Sequence, residues 1–197
     1  MVSSNDDAIY LNGIFCDYAC GYWIVSMHVS KLYLDMDGVL CNFEKRYMEL
    51  FGESPRSSRD RKNFSSNWTK FVEGENFATL DWNEGGQELI AYVRTIPNIE
   101  IEMLTSSGGQ KYHSEVTIQK TQWLCERGIE FKINTVPGRK LKAEFAKSTT
   151  ILVDDTPDVI ESFGAAGGIA ILHTNVNETI RQLKIYCEEY ALPPHTD

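Results

Sequence analysis

The chain has 197 residues, of which 42% are hydrophobic and 24% charged. That length and balance describe one domain, or one with a small insertion, able to bury a core, and exclude disorder of the whole chain. A formal net charge of −9 argues against stable binding to nucleic acid or anionic membrane, so an anionic substrate would need a local reversal of sign.

Residues 1–26 show no clear periodicity and read as an appended, weakly ordered segment, or as upstream sequence read in frame ahead of Met27. Asp6 and Asp7 stand where a signal peptide wants positive charge, and Asn12, Asp17 and Gly21 break the apolar residues that follow. No apolar run reaches transmembrane length. The cysteines (Cys16, Cys20, Cys41, Cys125, Cys187) are scattered, and no Cys/His company makes a zinc site of them. Free thiols in a reducing compartment follow, hence a cytoplasmic protein.

From Met27 onward, strand-like and helix-like segments alternate. Lys31–Leu34 is a short apolar strand that runs into Asp35 and Asp37 and turns at Gly38. Residues 44–94 break the rhythm: the segment is too long for a connection, polar in its middle, and carries Phe64, Trp68, Phe71, Phe77 and Trp82. It reads as a small, mainly helical insertion above the carboxyl edge of a sheet. Strand Ile99–Leu104 follows and ends in Thr105, Ser106 and Ser107 before two glycines. A helix over Val116–Arg127 stops at Gly128.

Glu130–Ile133 is the third strand of the series. Thr150–Val153 is the fourth, ending in Asp154 and Asp155, and Thr156-Pro157 then starts a helix that Gly164 ends. Strand Ile169–Leu172 precedes a last helix opened by Asn175 with Glu178 and carried by Ile180, Leu183 and Cys187. The strands are short and continuously apolar, as strands covered on both faces are. An open α/β fold with a parallel sheet of about five strands is expected, with its ligand site outside the carboxyl ends of the strands.

At that edge the fold would gather four carboxylates and a hydroxyl cluster. Acids held so close raise one another's pKa, and burial raises both. Mg²⁺ resolves the conflict, because it takes carboxylate oxygens, keeps waters and is completed by a substrate phosphate.

"DMDGVL", "LTSS" and "ILVDD", in this order on these strands, resemble three motifs of the haloacid-dehalogenase superfamily of phosphotransferases. Within it, "DMDGVLCNFE", the aromatic insertion, "QKTQWL" and "ILVDDTPDV" look most like the 5'(3')-deoxyribonucleotidases. The resemblance implies a three-layer Rossmann-like core over residues 27–43 and 95–197 and a cap over 44–94. It implies Asp35 as nucleophile and Asp37 as general acid and base. Mg²⁺ would rest on the Asp35 carboxylate, the Asp37 carbonyl and the Asp154 carboxylate, with Asp155 reaching it through water. Thr105, Ser106 and backbone N–H groups around Ser107 and Gly108 would hold the phosphoryl oxygens. The family's fixed cation maps onto Lys120, or onto Lys140 or Lys142 ahead of the fourth strand, with Lys120 preferred and Lys140 second. Phe43, Phe64 and Phe77 would face a nucleobase, and the insertion would exclude water.

Duller roles stand beside these. Asp155 suits a helix N-terminus, Ser106 a helix cap, Lys120 a solvated face, and Trp68, Phe71 and Trp82 a core. His113 and His173 have no partner in the sequence that argues for catalysis. The expected substrate is a small phosphate ester, foremost a nucleoside monophosphate; a sugar phosphate, a nucleic-acid 3' phosphate and a catalytically silent scaffold are the alternatives. Homodimers are common in the superfamily.

Overall fold

The computed structural model describes residues 14–16, 23–25, 29–55 and 61–187. Strands β1 (Ile14–Cys16) and β2 (Trp23–Val25) pair antiparallel, in a stretch where the sequence suggested no element. The rest of residues 1–26, and so most of the expected weakly ordered segment, lies outside the described residues, as does Met27.

The core is built on strands β3 (Lys31–Leu34), β4 (Glu100–Ser106), β5 (Lys132–Val136), β6 (Thr150–Asp154) and β7 (Ile169–Leu172). They form one parallel sheet in the order β5-β4-β3-β6-β7. β3 and β7 match the expected ranges, β6 runs one residue further, to Asp154, β4 starts one residue later and runs two further, to Ser106, and β5 is shifted toward Val136. Those extensions place Thr105 and Ser106 on the strand itself.

Alternation along each strand explains the continuous apolar runs. Leu32, Leu34, Met103, Ile151, Val153 and Ile171 join one core, while Tyr33, Leu104, Val136 and Leu152 join another on the opposite face. Helix α4 (His113–Glu126) covers the first face through Val116, Trp123 and Leu124, with α6 (Val176–Cys187) contributing Leu183. Helix α5 (Pro157–Ala165) covers the second with Val159 and Phe163. Three layers result. Asn175 Oδ1 accepts the Glu178 N–H at 2.9 Å, so the expected cap starts α6, but the Glu178 carboxylate turns to Arg181 instead of back to the cap.

The segment between β3 and β4 holds α1 (Phe43–Phe51), α2 (Arg61–Glu73), a 3-10 turn (Asn76–Thr79) and α3 (Gly86–Val93), with no strand among its described residues. Its far half is fastened to α4. Gln119 accepts from Phe77 N–H (3.2 Å) and donates to Val72 O (2.8 Å), and Trp123 Nε1 and Arg127 both donate to Leu80 O. Among the described residues no helix is long and apolar enough to cross a membrane.

One polar cluster sits at the amino end of the sheet. Glu102 is buried and accepts from Lys31 (2.8 Å), Lys132 (3.1 Å) and Asn134 (2.7 Å). Burial raises its carboxyl, but these donors outweigh burial and hold it at about 2. A folded-state value below the ordinary carboxylate range stabilises the fold above roughly pH 4.5, and that contribution disappears as pH falls toward 2. Glu102→Gln is expected to lower the unfolding free energy by about 3 kcal/mol at pH 7 and by progressively less between pH 5 and 2. Urea unfolding of both proteins across that range checks it; a gap independent of pH contradicts it.

Candidate active site

The register sets the heights of the acids. Leu34 pairs with Val153, and Asp35 N–H donates to Val153 O at 2.9 Å, so Asp35 and Asp154 leave neighbouring strands side by side. On the other flank Leu34 pairs with Met103, which lifts Thr105 to the level just above Asp35, near Asp37. Strand order places β3 between β4 and β6, so chain from both sides converges where the order reverses.

Carboxylate oxygens of Asp35, Asp154 and Asp155 lie within 4.8 Å of one another. Gly38 makes this possible. Its φ of +78° belongs to the left-handed region, and a Cβ there would lie 2.4 Å from Asp155 Oδ2. Asp154 is fully buried; its Oδ1 accepts the Thr156 N–H at 2.8 Å, so Thr156 begins α5 through the aspartate and not through its own hydroxyl. Burial, and then the charge of Asp35, push the Asp154 carboxyl up to about 6 against the pull of Lys142.

Two buried lysines divide the acids between them. Lys142, on the 3-10 helix Arg139–Phe145, places Nζ 2.8 Å from Asp35 Oδ1 and 2.7 Å from Asp154 Oδ2. Burial alone would depress this ammonium, but the charges of Asp35 and Asp154 hold it above its usual value. Lys120, on α4, donates to Asp37 Oδ2 (2.7 Å), Thr105 Oγ1 (2.6 Å) and Ser106 O (3.0 Å). It is therefore a buried site residue and not a solvated one. Lys140, preferred over Lys142 in the sequence, is exposed: a two-residue step on a 3-10 helix turns the side chain most of the way round the axis.

Asp37 is engaged on both oxygens, by Lys120 on Oδ2 and by Cys41 Sγ at 3.4 Å on Oδ1. Burial, then the charge of Asp37, push the Cys41 thiol well above its ordinary value. Among the hydroxyls, Ser106 lines the cavity, whereas Thr105 is buried beneath it against Lys120. Ser107 is turned away from the expected phosphate role. Its N–H donates to Val136 O, and its Oγ contacts Gly109 O and His113 Nδ1. The Gly108 N–H goes to Ser106 Oγ. His173, buried, meets Thr179 Oγ1 at 2.9 Å and lines the cavity.

The cavity holds about 1350 Å³ above Asp35, Asp37 and Asp155. Phe43, Phe64 and Trp68 form one wall, and Asn42, Asn83, Asn175 and Asn177 contribute amides to the remainder. Phe77 does not reach it. The ring is buried, stacked on Phe43 with centroids 5.7 Å apart, and carries the Lys120 ammonium 5.1 Å from its centre. Trp68, read as core from sequence, is the ring that does line the wall, lying so close to Gly108 that a Cβ there would sit 2.4 Å from Trp68 Cζ2. The sequence signal for it was the pair of glycines after the hydroxyl motif, which lets a large ring approach backbone.

The donor set fits a hard divalent cation. It is all oxygen, three carboxylates brought together at one strand edge. Lys142 meets two of these carboxylates, those of Asp35 and Asp154, and a divalent cation would add positive charge to the acidic group. No protein-family model matches the chain, and no curated protein does. Solved structures do. A HAD-hydrolase of Bacillus subtilis, YfnB, solved bound to magnesium, is 12% identical, with a TM-score of 0.50 over 82% of this chain and 99% of its own. A hydrolase from Streptococcus pneumoniae is 16% identical (TM-score 0.49; 80% of this chain, 100% of its own), and a HAD-superfamily hydrolase from Ehrlichia chaffeensis is 14% identical (TM-score 0.49; 82% and 99%).

Gly38→Ala is expected to lose about 1–3 kcal/mol of stability through backbone strain and the Asp155 contact. Gly138→Ala, at a glycine whose added Cβ meets nothing within 4 Å, should stay within about 0.5 kcal/mol of wild type. Denaturant midpoints of the two variants decide it, and equal losses would sink the role given to Gly38. The chain thus has the α/β fold of the HAD-type hydrolases, with its acids, hydroxyls and buried lysines at the carboxyl edge of the sheet.

Proposed function

We propose that this protein is a Mg²⁺-dependent phosphomonoester hydrolase of the haloacid-dehalogenase type, acting on nucleoside monophosphates and foremost on deoxyribonucleotides. One observation carries the reading: Asp35, Asp154 and Asp155 converge, the first two on buried Lys142, beneath a cavity with an aromatic wall. A phosphate placed there meets a nucleophile, an acid and fixed cations within one enclosure.

Asp35 attacks phosphorus, and the ester oxygen leaves with a proton delivered by Asp37. The aspartyl phosphate that remains is hydrolysed by water from which Asp37 takes a proton, returning both acids to their starting state. Lys142 and Ser106 hold the charge that spreads over the phosphoryl oxygens, and Lys120 holds Asp37 and Thr105 in place. Mg²⁺ on the Asp35 and Asp154 carboxylates and the Asp37 carbonyl, with Asp155 beside them, would offset the acids and attract the dianion. Phe43, Phe64 and Trp68 offer flat apolar faces on which a nucleobase stacks. The amides of Asn42, Asn83, Asn175 and Asn177 favour a second reading, a sugar phosphate held by its hydroxyls.

Phosphate release from a panel of nucleoside 5'- and 3'-monophosphates and sugar phosphates, with Mg²⁺ and with chelator, separates these. Metal-dependent release concentrated on deoxynucleotides is expected. Release spread over sugar phosphates would replace the substrate class, and none at all would favour a silent scaffold. Asp35→Asn should abolish turnover, and Asp37→Asn should lower kcat by about 10²–10⁴-fold. Lys142→Ala should cost about 10²-fold while Lys140→Ala stays near wild type; equal losses at the two lysines would remove Lys142 from the site.

A further inference from the structure

Asp37 is asked to present a proton in a fixed direction, and the structure surrounds its carboxylate unevenly. Lys120 holds Oδ2 at 2.7 Å, and among the described residues the other side chain hydrogen-bonded to the group is the Cys41 thiol, 3.4 Å from Oδ1. A single contact on Oδ2 leaves the carboxylate plane able to turn about its own bond. A second contact on Oδ1 fixes that plane.

The thiol is itself held rigidly. Cys41 is 1% exposed; its N–H donates to Met36 O and its carbonyl accepts the Gly38 N–H, each at 2.9 Å. It bridges Asp37 on one side and Trp82, from the last part of the insertion, on the other. Sγ is thus placed by the turn that carries both catalytic acids and by the cap that closes over them. Burial keeps water from substituting for the thiol, although S–H is a weak donor.

We infer that Cys41 is a positioning residue for the acid–base group: its thiol orients the Asp37 carboxylate toward the leaving oxygen. The inference rests on the phosphatase reading and goes beyond it. A thiol that served only to fill core would matter equally for every ester. A thiol that aims Asp37 matters most when the leaving group needs its proton.

The test uses the full chain with Mg²⁺ and two esters. A nucleoside 5'-monophosphate releases an alkoxide that requires protonation, whereas p-nitrophenyl phosphate releases a stable phenolate. The readout is kcat/KM, which covers the chemistry only as far as the phosphoenzyme. Cys41→Ala is expected to lower kcat/KM for the nucleotide by about three- to tenfold, with a distinctly smaller loss for the aryl ester. Cys41→Ser, which restores a donor in nearly the same volume, should recover most of the nucleotide activity. Should the alanine variant unfold, Cys41→Val supplies the comparison without a donor.

Equal losses on both esters, no loss on either, or no recovery with serine would overturn the positioning role while leaving the phosphatase reading intact. No turnover of either ester by the wild-type protein would overturn both together.

Discussion

The buried ammonium of Lys142 between Asp35 and Asp154 is the contact on which the rest of the site depends. Each of the three groups alone would be untenable at its depth, because a lone charge there loses far more hydration than it recovers. Together they sum to one negative charge, and Asp155 makes it two. The divalent cation of the proposed chemistry would offset part of that negative charge. The same cluster dictates local backbone. The 3-10 helix Arg139–Phe145 must bring its fourth residue inward, and residue 38 must lack a side chain for Asp155 to approach.

Sheet order supplies the geometry without any special loop. Because β3 lies between β4 and β6, the acids after β3, the hydroxyls ending β4 and the acids ending β6 meet within one strand spacing on each side. Helix α4 then performs two tasks with adjacent residues. Gln119 and Trp123 fasten the insertion through Val72, Phe77 and Leu80, while Lys120, between them, reaches Asp37 and Thr105. The aromatic wall of the cavity is therefore tied to the element that holds Asp37, and Phe77, stacked under Phe43 and over Lys120, lies at the junction.

What was legible in the sequence follows from this division. Continuous apolar runs announced strands covered on both faces, and "DMDG", "LTSS" and "LVDD" sat at ends whose heights the parallel register fixes. The lysines were harder. Lys120 carries Trp123 and Leu124 as helical neighbours, so spacing alone makes it as consistent with a solvated face as with a buried ammonium; only the depth of α4 against the sheet separates the two. Lys140 and Lys142 differ by the rotation of a 3-10 helix, which composition does not reveal. Phe77 and Trp68 exchanged places for a similar reason. Aromatic content marks a cap, but which ring lines the cavity depends on how α2 and the turn at Asn76–Thr79 pack against α4. Ser107 belonged to a motif by position, yet its hydroxyl and N–H are taken by Gly109, His113 and Val136.

Two aspartates separated by one residue would be chemically alike if the chain surrounded them alike, and it does not. Asp35 is buried, with the Lys142 ammonium 2.8 Å from its Oδ1. Asp37 is a quarter exposed and has a donor on each oxygen, an ammonium on one and a thiol on the other. A proton carrier needs a fixed direction and access to the leaving group, which the surroundings of Asp37 offer. The different surroundings thus suit the two acids to different tasks in the proposed chemistry, through separate lysines contributed by separate elements. They would also reconcile an acidic protein with the proposed anionic substrate. The net charge of −9 is spread over the whole chain, while the phosphate of the proposed substrate would meet a small enclosure that holds two buried cations, Lys120 and Lys142.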